Sequence, residues 1–193
     1  MSTYDVRPAR EADLPGILEI SNWAAAHTPA NFATEPETLD SWRDDWGQTH
    51  ERYPWLVAVD SGDGVIGFAK AAPWKGRCAY DWTAEVTVYV HPDHHAQGLA
   101  KALYGRLIPT LKAQGYHSLL AGITTPNPAS ERLHESFGFR PAARFTRIGW
   151  KFGVWHDVAY WEAFLGEGSD PPAVIRGVEE AMRDAPEVTS RSL

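Results

Sequence analysis

The feature that most constrains the fold lies in mid-chain. A β-branched strand, Trp82 to Val90, runs through His91-Pro92-Asp93-His94-His95-Ala96-Gln97 and opens a helix at Gly98-Leu99-Ala100. Leu99, Leu103, Leu107 and Leu111 recur at helical spacing to Gln114, and Pro109 inside that pattern predicts a bend or a split. A strand feeding a helix this directly places the two in packed layers. Free amides and the helix dipole make such an N-terminus a seat for a diphosphate. Gly98 lets a phosphate approach the backbone and Ala100 does not obstruct it; Gln97, Leu99 and Lys101 flank the same turn. The plain alternative is a strand–loop–helix junction that needs Gly only to turn.

The surrounding pattern extends the layers. Tyr4–Arg7 reads as a strand, followed by a helix from Asp13, a plausible N-cap. Asn22–Glu37 reads as polar and irregular, and Leu39–Arg52 as a second helix. Trp55–Val59 and Val65–Ala71 form a hairpin across Ser61-Gly62-Asp63-Gly64. Leu119–Thr124 is a strand, Pro128–Phe137 a helix closed by Gly138, and Arg144–Lys151 and Val158–Phe164 are late strands. This order gives one α/β (α+β) domain over 1–166, a mixed central sheet flanked by helices. Residues 167–193 read as a partly flexible extension, with a short helix over Val174–Met182 and a frayed tail from Ala185.

Composition narrows the function. A net charge of −7 over 193 residues argues against nucleic acid or an anionic membrane surface as partner. Cys78 is the single cysteine, so no internal disulfide or Cys-rich metal site is expected. His91, His94 and His95 cluster without acidic or Cys partners, and no metal is expected there either. With neither a leader pattern nor a long apolar run, the expected location is the cytoplasm.

Val88-Tyr89-Val90-His91-Pro92 followed by His95-Ala96-Gln97-Gly98-Leu99-Ala100 resembles the acyl-CoA loop of GNAT acetyltransferases, with His95 where that family usually has Gln or Arg. Arg52–Ala58, Pro73-Trp74-Lys75, Ala79–Thr83, Leu133-His134-Glu135 before Gly138-Phe139, Trp155–Val158, and Asn31-Phe32 with Thr34-Glu35-Pro36 resemble the phosphinothricin and methionine sulfone/sulfoximine N-acetyltransferases. The likeness runs from Val6 to Phe164. It implies the GNAT fold, acetyl-CoA as co-substrate, a small amine as acceptor, a homodimer, and a part in antibiotic or herbicide resistance.

The resemblance also implies roles. Glu85 would be the general base that takes the ammonium proton, its pKa raised by desolvation; the alternative is a salt-bridged strand-edge Glu. An amide of Val88-Tyr89-Val90 would hold the thioester carbonyl. Asn127 and Ser130 would meet the CoA arm, and His134 would serve as acid or base. Arg77, ahead of Lys75, would clamp the acceptor's carboxylate, with Phe32, Trp74, Tyr80 and Thr87 around its side chain. Trp23–Ala30 is less polar than in those enzymes, so the accepted amine is left open. The alternatives are a polyamine, aminoglycoside or protein N-terminal acceptor, a non-catalytic acyl-CoA sensor, or an interaction domain whose Trp residues only pack.

Overall fold

The computed structural model describes residues 4–166 and 170–185. Its elements are β1 (Asp5–Pro8), α1 (Leu14–His27), α2 (Leu39–Thr49), β2 (Trp55–Val59), β3 (Val65–Pro73), β4 (Thr83–Val90) and α3 (Leu99–Gln114). There follow β5 (Ser118–Thr125), α4 (Pro128–Ser136), β6 (Arg140–Lys151), β7 (Val154–Phe164) and α5 (Val178–Asp184). The strands form one mixed sheet of order β1-β2-β3-β4-β5-β7-β6. β4 and β5 are its parallel pair, and every other neighbouring pair is antiparallel. A parallel pair needs a crossover, and α3 is that crossover.

Both faces are covered, which is why β2 is buried at every residue. On one face Leu99, Leu103, Leu107 and Leu111 of α3 pack on Ala84 and Val86 of β4 and on Leu119, Ala121 and Ile123 of β5. On the other, Leu14, Ile17 and Ile20 of α1 and Trp42 of α2 pack on Trp55, Val57, Val59 and Phe68. Removing one such fully buried leucine side chain costs about 3 kcal/mol in transfer and cavity terms together.

The structure corrects several boundaries. Residues 22–27 continue α1, because Ala24 and Ala25 are buried good helix formers; Asn22 spends its side chain outside the helix, bonding the Glu37 backbone at 3.0 and 2.9 Å. Asp13 does not cap α1 with its side chain, which instead takes two Arg7 bonds (2.7 and 2.9 Å) and the Arg10 amide (2.6 Å). Pro109 leaves α3 as one element, packed along its length by its leucines. α2 ends at Thr49, and β6 and β7 each start four residues earlier than their patterns suggest.

The C-terminal helix is Val178–Asp184 rather than Val174–Met182. It is docked on the body. Arg176 N–H donates to Gln114 O (2.9 Å), Val178 N–H to Glu51 O (3.0 Å) and Trp82 Nε1 to Ala173 O (2.6 Å), while Ala181 is fully buried. Of the expected frayed tail, residues 186–193 lie outside the described residues.

Candidate active site

β4 and β5 pair at Thr83–Ser118, Ala84–Leu119 and Glu85–Leu120, and nowhere further along. Beyond Glu85 the strands part, β4 staying with β3 and β5 with β7. Strand alternation then divides β4. Ala84, Val86, Val88 and Val90 face the α3 side, Ala84 and Val86 within the core and the partly buried Val88 and Val90 packed against it. Glu85, Thr87 and Tyr89 line a cavity of about 460 Å³ on the opposite face.

The cavity is closed by Phe68 and Lys70 of β3, Gly122 and Thr124 of β5, Ile148 of β6 and Val158 and Tyr160 of β7. Trp42, Ser21 and the α1–α2 connection, through Ala30, Asn31, Phe32 and Glu37, complete it. Tyr89 Oη donates to Ala30 O (3.0 Å), tying the connection to β4, and burial pushes the Tyr89 hydroxyl up to about 12.

Glu85 makes no side-chain hydrogen bond or ion pair among the described residues. Desolvation raises its carboxyl pKa, opposed by the charge of Lys75. Tyr160 is raised by burial and then by Glu85, so the phenol and the carboxylate sense each other. Trp74 stands edge-on to Tyr160 (5.0 Å between rings), and Lys75 lies 4.6 Å over Trp74. That puts Trp74 and Lys75 at the mouth, outside the lining itself. Arg77 and Tyr80 sit on an exposed 3-10 turn, also outside the lining. The cation that does line the cavity is Lys70, 2.6 Å from Asp45 and lying over the Trp55 and Trp42 rings.

Past β4 the chain turns through positive φ at Ala96 and Gly98 into α3. The first intrahelical bond there is Ala102 N–H to Gly98 O (3.0 Å), so the amides of Leu99, Ala100 and Lys101 point out of the helix end. A Cβ placed on Gly98 would meet nothing within 4 Å, so the approach is open. His95 Nε2 bonds Val90 O (3.0 Å), and Gln97 Nε2 donates to Asp93 O (3.4 Å), both within the loop. The buried Thr125 Oγ1, at the far end of β5, has no hydrogen-bond partner.

Asn127 caps α4, its Oδ1 accepting from Ser130 N–H (3.2 Å). His134 is buried between Tyr104 (3.1 Å, Nε2 to Oη) and Ser130 O (2.8 Å, Nδ1), with Phe139 edge-on, and it does not line the cavity. Burial lowers its pKa, which the Ser130 carbonyl offsets in part. Sequence reasoning passed over Ser21, Asn31 as a tether, Glu37, Lys70 and Tyr160. Alternation along β3 and β7 is visible in the sequence, but the strand order that brings Tyr160 beside Glu85 is not.

A sheet opened at a parallel pair, a carboxylate at the opening and a free helix end beyond it define an acyltransferase whose donor carries a diphosphate. The chain belongs to the acetyltransferase (GNAT) family, whose sequence pattern matches residues 17–139. It is 43% identical to the phosphinothricin N-acetyltransferase of Streptomyces viridochromogenes, over 91% of this chain and 95% of that one. It is 36% identical to the L-methionine sulfoximine/L-methionine sulfone acetyltransferase of Salmonella typhimurium, over 87% and 98%. The structure of a phosphinothricin acetyltransferase from Sinorhizobium meliloti in complex with acetyl-CoA superposes with a TM-score of 0.82 at 31% identity, over 87% of this chain and 91% of that one.

Proposed function

We propose that the chain transfers acetyl from acetyl-CoA to the amino group of a small amino-acid-like compound of the phosphinothricin or methionine sulfone/sulfoximine type, the acceptors for which its relatives are named. The observation that carries this is Glu85, an unpaired carboxylate raised by burial, at the residue where β4 leaves β5. Acetyl-CoA supplies the activated acetyl thioester. The open turn at Gly98 and the outward amides of Leu99, Ala100 and Lys101 fit its diphosphate. The β4 edge over Val88-Tyr89-Val90 would hold its acetyl end, and Asn127 and Ser130 its arm.

The protein's own chemistry is proton management and positioning. Glu85 takes the ammonium proton, directly or through a water, and desolvation makes it a stronger base than an exposed carboxylate. We assign the acceptor's carboxylate to Lys75 in preference to Arg77; both are exposed, but the charge of Lys75 is the one that reaches Glu85. Phe32, Thr87, Trp74 and Tyr160 enclose the acceptor side chain, and no proton step is assigned to His134. A cationic acceptor is the second reading. Glu37 and Glu85 both line the cavity, and Lys70 is already paired with Asp45.

The test is thiol release from acetyl-CoA with phosphinothricin, methionine sulfone, methionine sulfoximine, free amino acids and polyamines. Release with the amino-acid-like set supports the first reading, and release with polyamines alone supports the second. Acetyl-CoA binding with no release would make the chain a sensor.

We further propose a homodimer in which β6 and β7 face a second copy. Phe145, Ile148, Trp150, Phe152 and Trp155 are about half exposed there, a larger apolar face than a monomer usually keeps in water. Light scattering at micromolar protein would report a monomer if this is wrong. The need for acetyl-CoA argues for the cytoplasm, and resistance to the acetylated compound is the corresponding biological role. We take residues 1–166 as the catalytic domain, with α5 as a strap on its α3.

A further inference from the structure

We infer that Gly149 and Lys151, on β6 and away from the reacting groups, position one wall of the acceptor cavity and set which acceptor sizes it admits. The inference rests on the cavity being the acceptor site. That wall is the connection between α1 and α2, which contributes Ala30, Asn31, Phe32 and Glu37. It has no strand or helix of its own over residues 28–38, so its shape depends on what it is tied to.

Its ties to α1 and β4 run through Asn22, Ser21 and Tyr89: Asn31 Nδ2 donates to Ser21 O (3.3 Å), and Tyr89 Oη to Ala30 O (3.0 Å). The ties to β6 are of a different kind. Lys151 is 5% exposed, and its Nζ donates to Ala25 O and Asn31 O, each at 2.5 Å. No carboxylate pairs with it among the described residues, so carbonyls from the last turn of α1 and from the wall itself stand in for water around a buried ammonium. One side chain thus joins the end of α1, the wall and the hairpin strand.

Two residues away, the ring of Phe32 occupies the space over Gly149. A Cβ built on Gly149 would sit 2.3 Å from Phe32 Cε2 and 2.5 Å from Cζ, closer than any side chain tolerates. The atoms a Cβ would meet belong to the end of an exposed side chain, so the ring and not the β6 backbone gives way. The preceding residue, Ile148, lines the cavity together with Phe32. A methyl group at 149 therefore displaces the ring from its seat and changes the cavity wall, with no alteration at Glu85 or at the N-terminus of α3. If Gly149 and Lys151 served packing alone, their loss would lower stability and affect all acceptors alike.

The experiment measures kcat/KM for acceptors of increasing side-chain length, from alanine through methionine sulfone to a longer homologue, in the wild type, Gly149→Ala, Phe32→Ala and the double variant. Gly149→Ala is expected to lower kcat/KM for the longest acceptor roughly tenfold relative to the shortest, the low end of what a methylene-sized misfit does in a pocket. KM for acetyl-CoA should stay unchanged. Phe32→Ala in that background should restore the ratio. Lys151→Met should shift the same long-to-short ratio, through KM for the acceptor more than through kcat, and leave KM for acetyl-CoA unchanged. An unchanged ratio in Gly149→Ala, or a double variant no better than the single one, overturns the inference while leaving the activity standing. If the wild type acetylates nothing, the functional reading fails, and urea midpoints judge the seat alone. Gly149→Ala should then lower the midpoint when Phe32 is present and not in Phe32→Ala; equal losses in both backgrounds overturn it.

Discussion

Glu85→Gln is the substitution on which the proton-transfer argument can be tested most directly. Glutamine keeps the shape of the side chain, so the cavity and the β4–β5 pairing at residue 85 should survive. What is lost is the base. No neighbour can replace it, because Glu37 is held on the far wall by Ser21 Oγ (3.3 Å) and His134 is buried against Tyr104. A positioned general base contributes about 10²- to 10⁴-fold. With no substitute at hand the loss in kcat/KM should be near 10³, about 4 kcal/mol of transition-state stabilisation. The assay is initial-rate thiol release between pH 5.5 and 9, with KM for acetyl-CoA as the internal control. Since burial raises the Glu85 carboxyl pKa, the wild-type acid limb should lie above the ordinary carboxylate range, and Glu85→Gln should lack it. Stability should move the other way. A carboxyl whose folded pKa is raised destabilises the fold above that pKa, and the penalty fades as pH falls toward the unfolded value. Glu85→Gln should therefore unfold at higher urea than wild type at pH 8, with the gap closing in acid. A variant within tenfold of wild-type kcat/KM at pH 7.5, with normal KM for acetyl-CoA, would refute the assignment of Glu85 as base.

Three other outcomes are expected. Asp13→Ala takes two bonds from a mostly buried Arg7, leaving it Asp63 (3.0 Å) and Pro8 O (3.2 Å), and leaves the Arg10 amide without its acceptor; it should cost about 2 kcal/mol in urea unfolding. Burial alone would raise the Asp13 carboxyl, but bonds from Arg7 and the Arg10 amide hold it below its usual value, so its contribution is present above the unfolded pKa and is lost as pH falls through the folded one. Gly98→Val forces a β-branched residue to φ +81° and should cost about 1–2 kcal/mol, raising KM for acetyl-CoA and leaving that for the acceptor unchanged. Ala181→Asp puts an unpaired charge into the fully buried seat of α5, and limited proteolysis should then cut near residues 170–178 long before the body unfolds.

What the sequence discloses and what it hides follow from the range of the interactions. β2 was legible to the residue, because five consecutive apolar side chains between a Pro and a turn can only be a covered strand. The turn after it was legible too, since Asp60 Oδ1 takes the amides of Gly62 and Gly64 locally, at 2.8 and 3.0 Å. The end of α1 was not. Asn22 and His27 look like loop residues until Glu37 returns to bond Asn22 from fifteen positions away. The cavity is the extreme case. Phe68, Lys70, Glu85, Gly122, Thr124, Val158 and Tyr160 come from β3, β4, β5 and β7, and their adjacency is fixed by the α3 crossover and by β7, rather than β6, lying beside β5. Arg77 looked the better carboxylate partner on side-chain chemistry alone, but it sits exposed at the 3-10 turn and is not among the residues that line the cavity.

Three residue pairs hold the two halves of the sheet together directly. The antiparallel leaf β1–β4 and the leaf β5-β7-β6 are thus two stiff boards on a short hinge, and the leucine ridge of α3 touches both. The angle between the boards is then a matter of volume beneath them. Trimming Leu103 or Leu107 would change the width of the opening with no alteration to any group that lines it. Core residues beneath the sheet thus bear on the width of the opening, and an inspection of the cleft alone would pass over them.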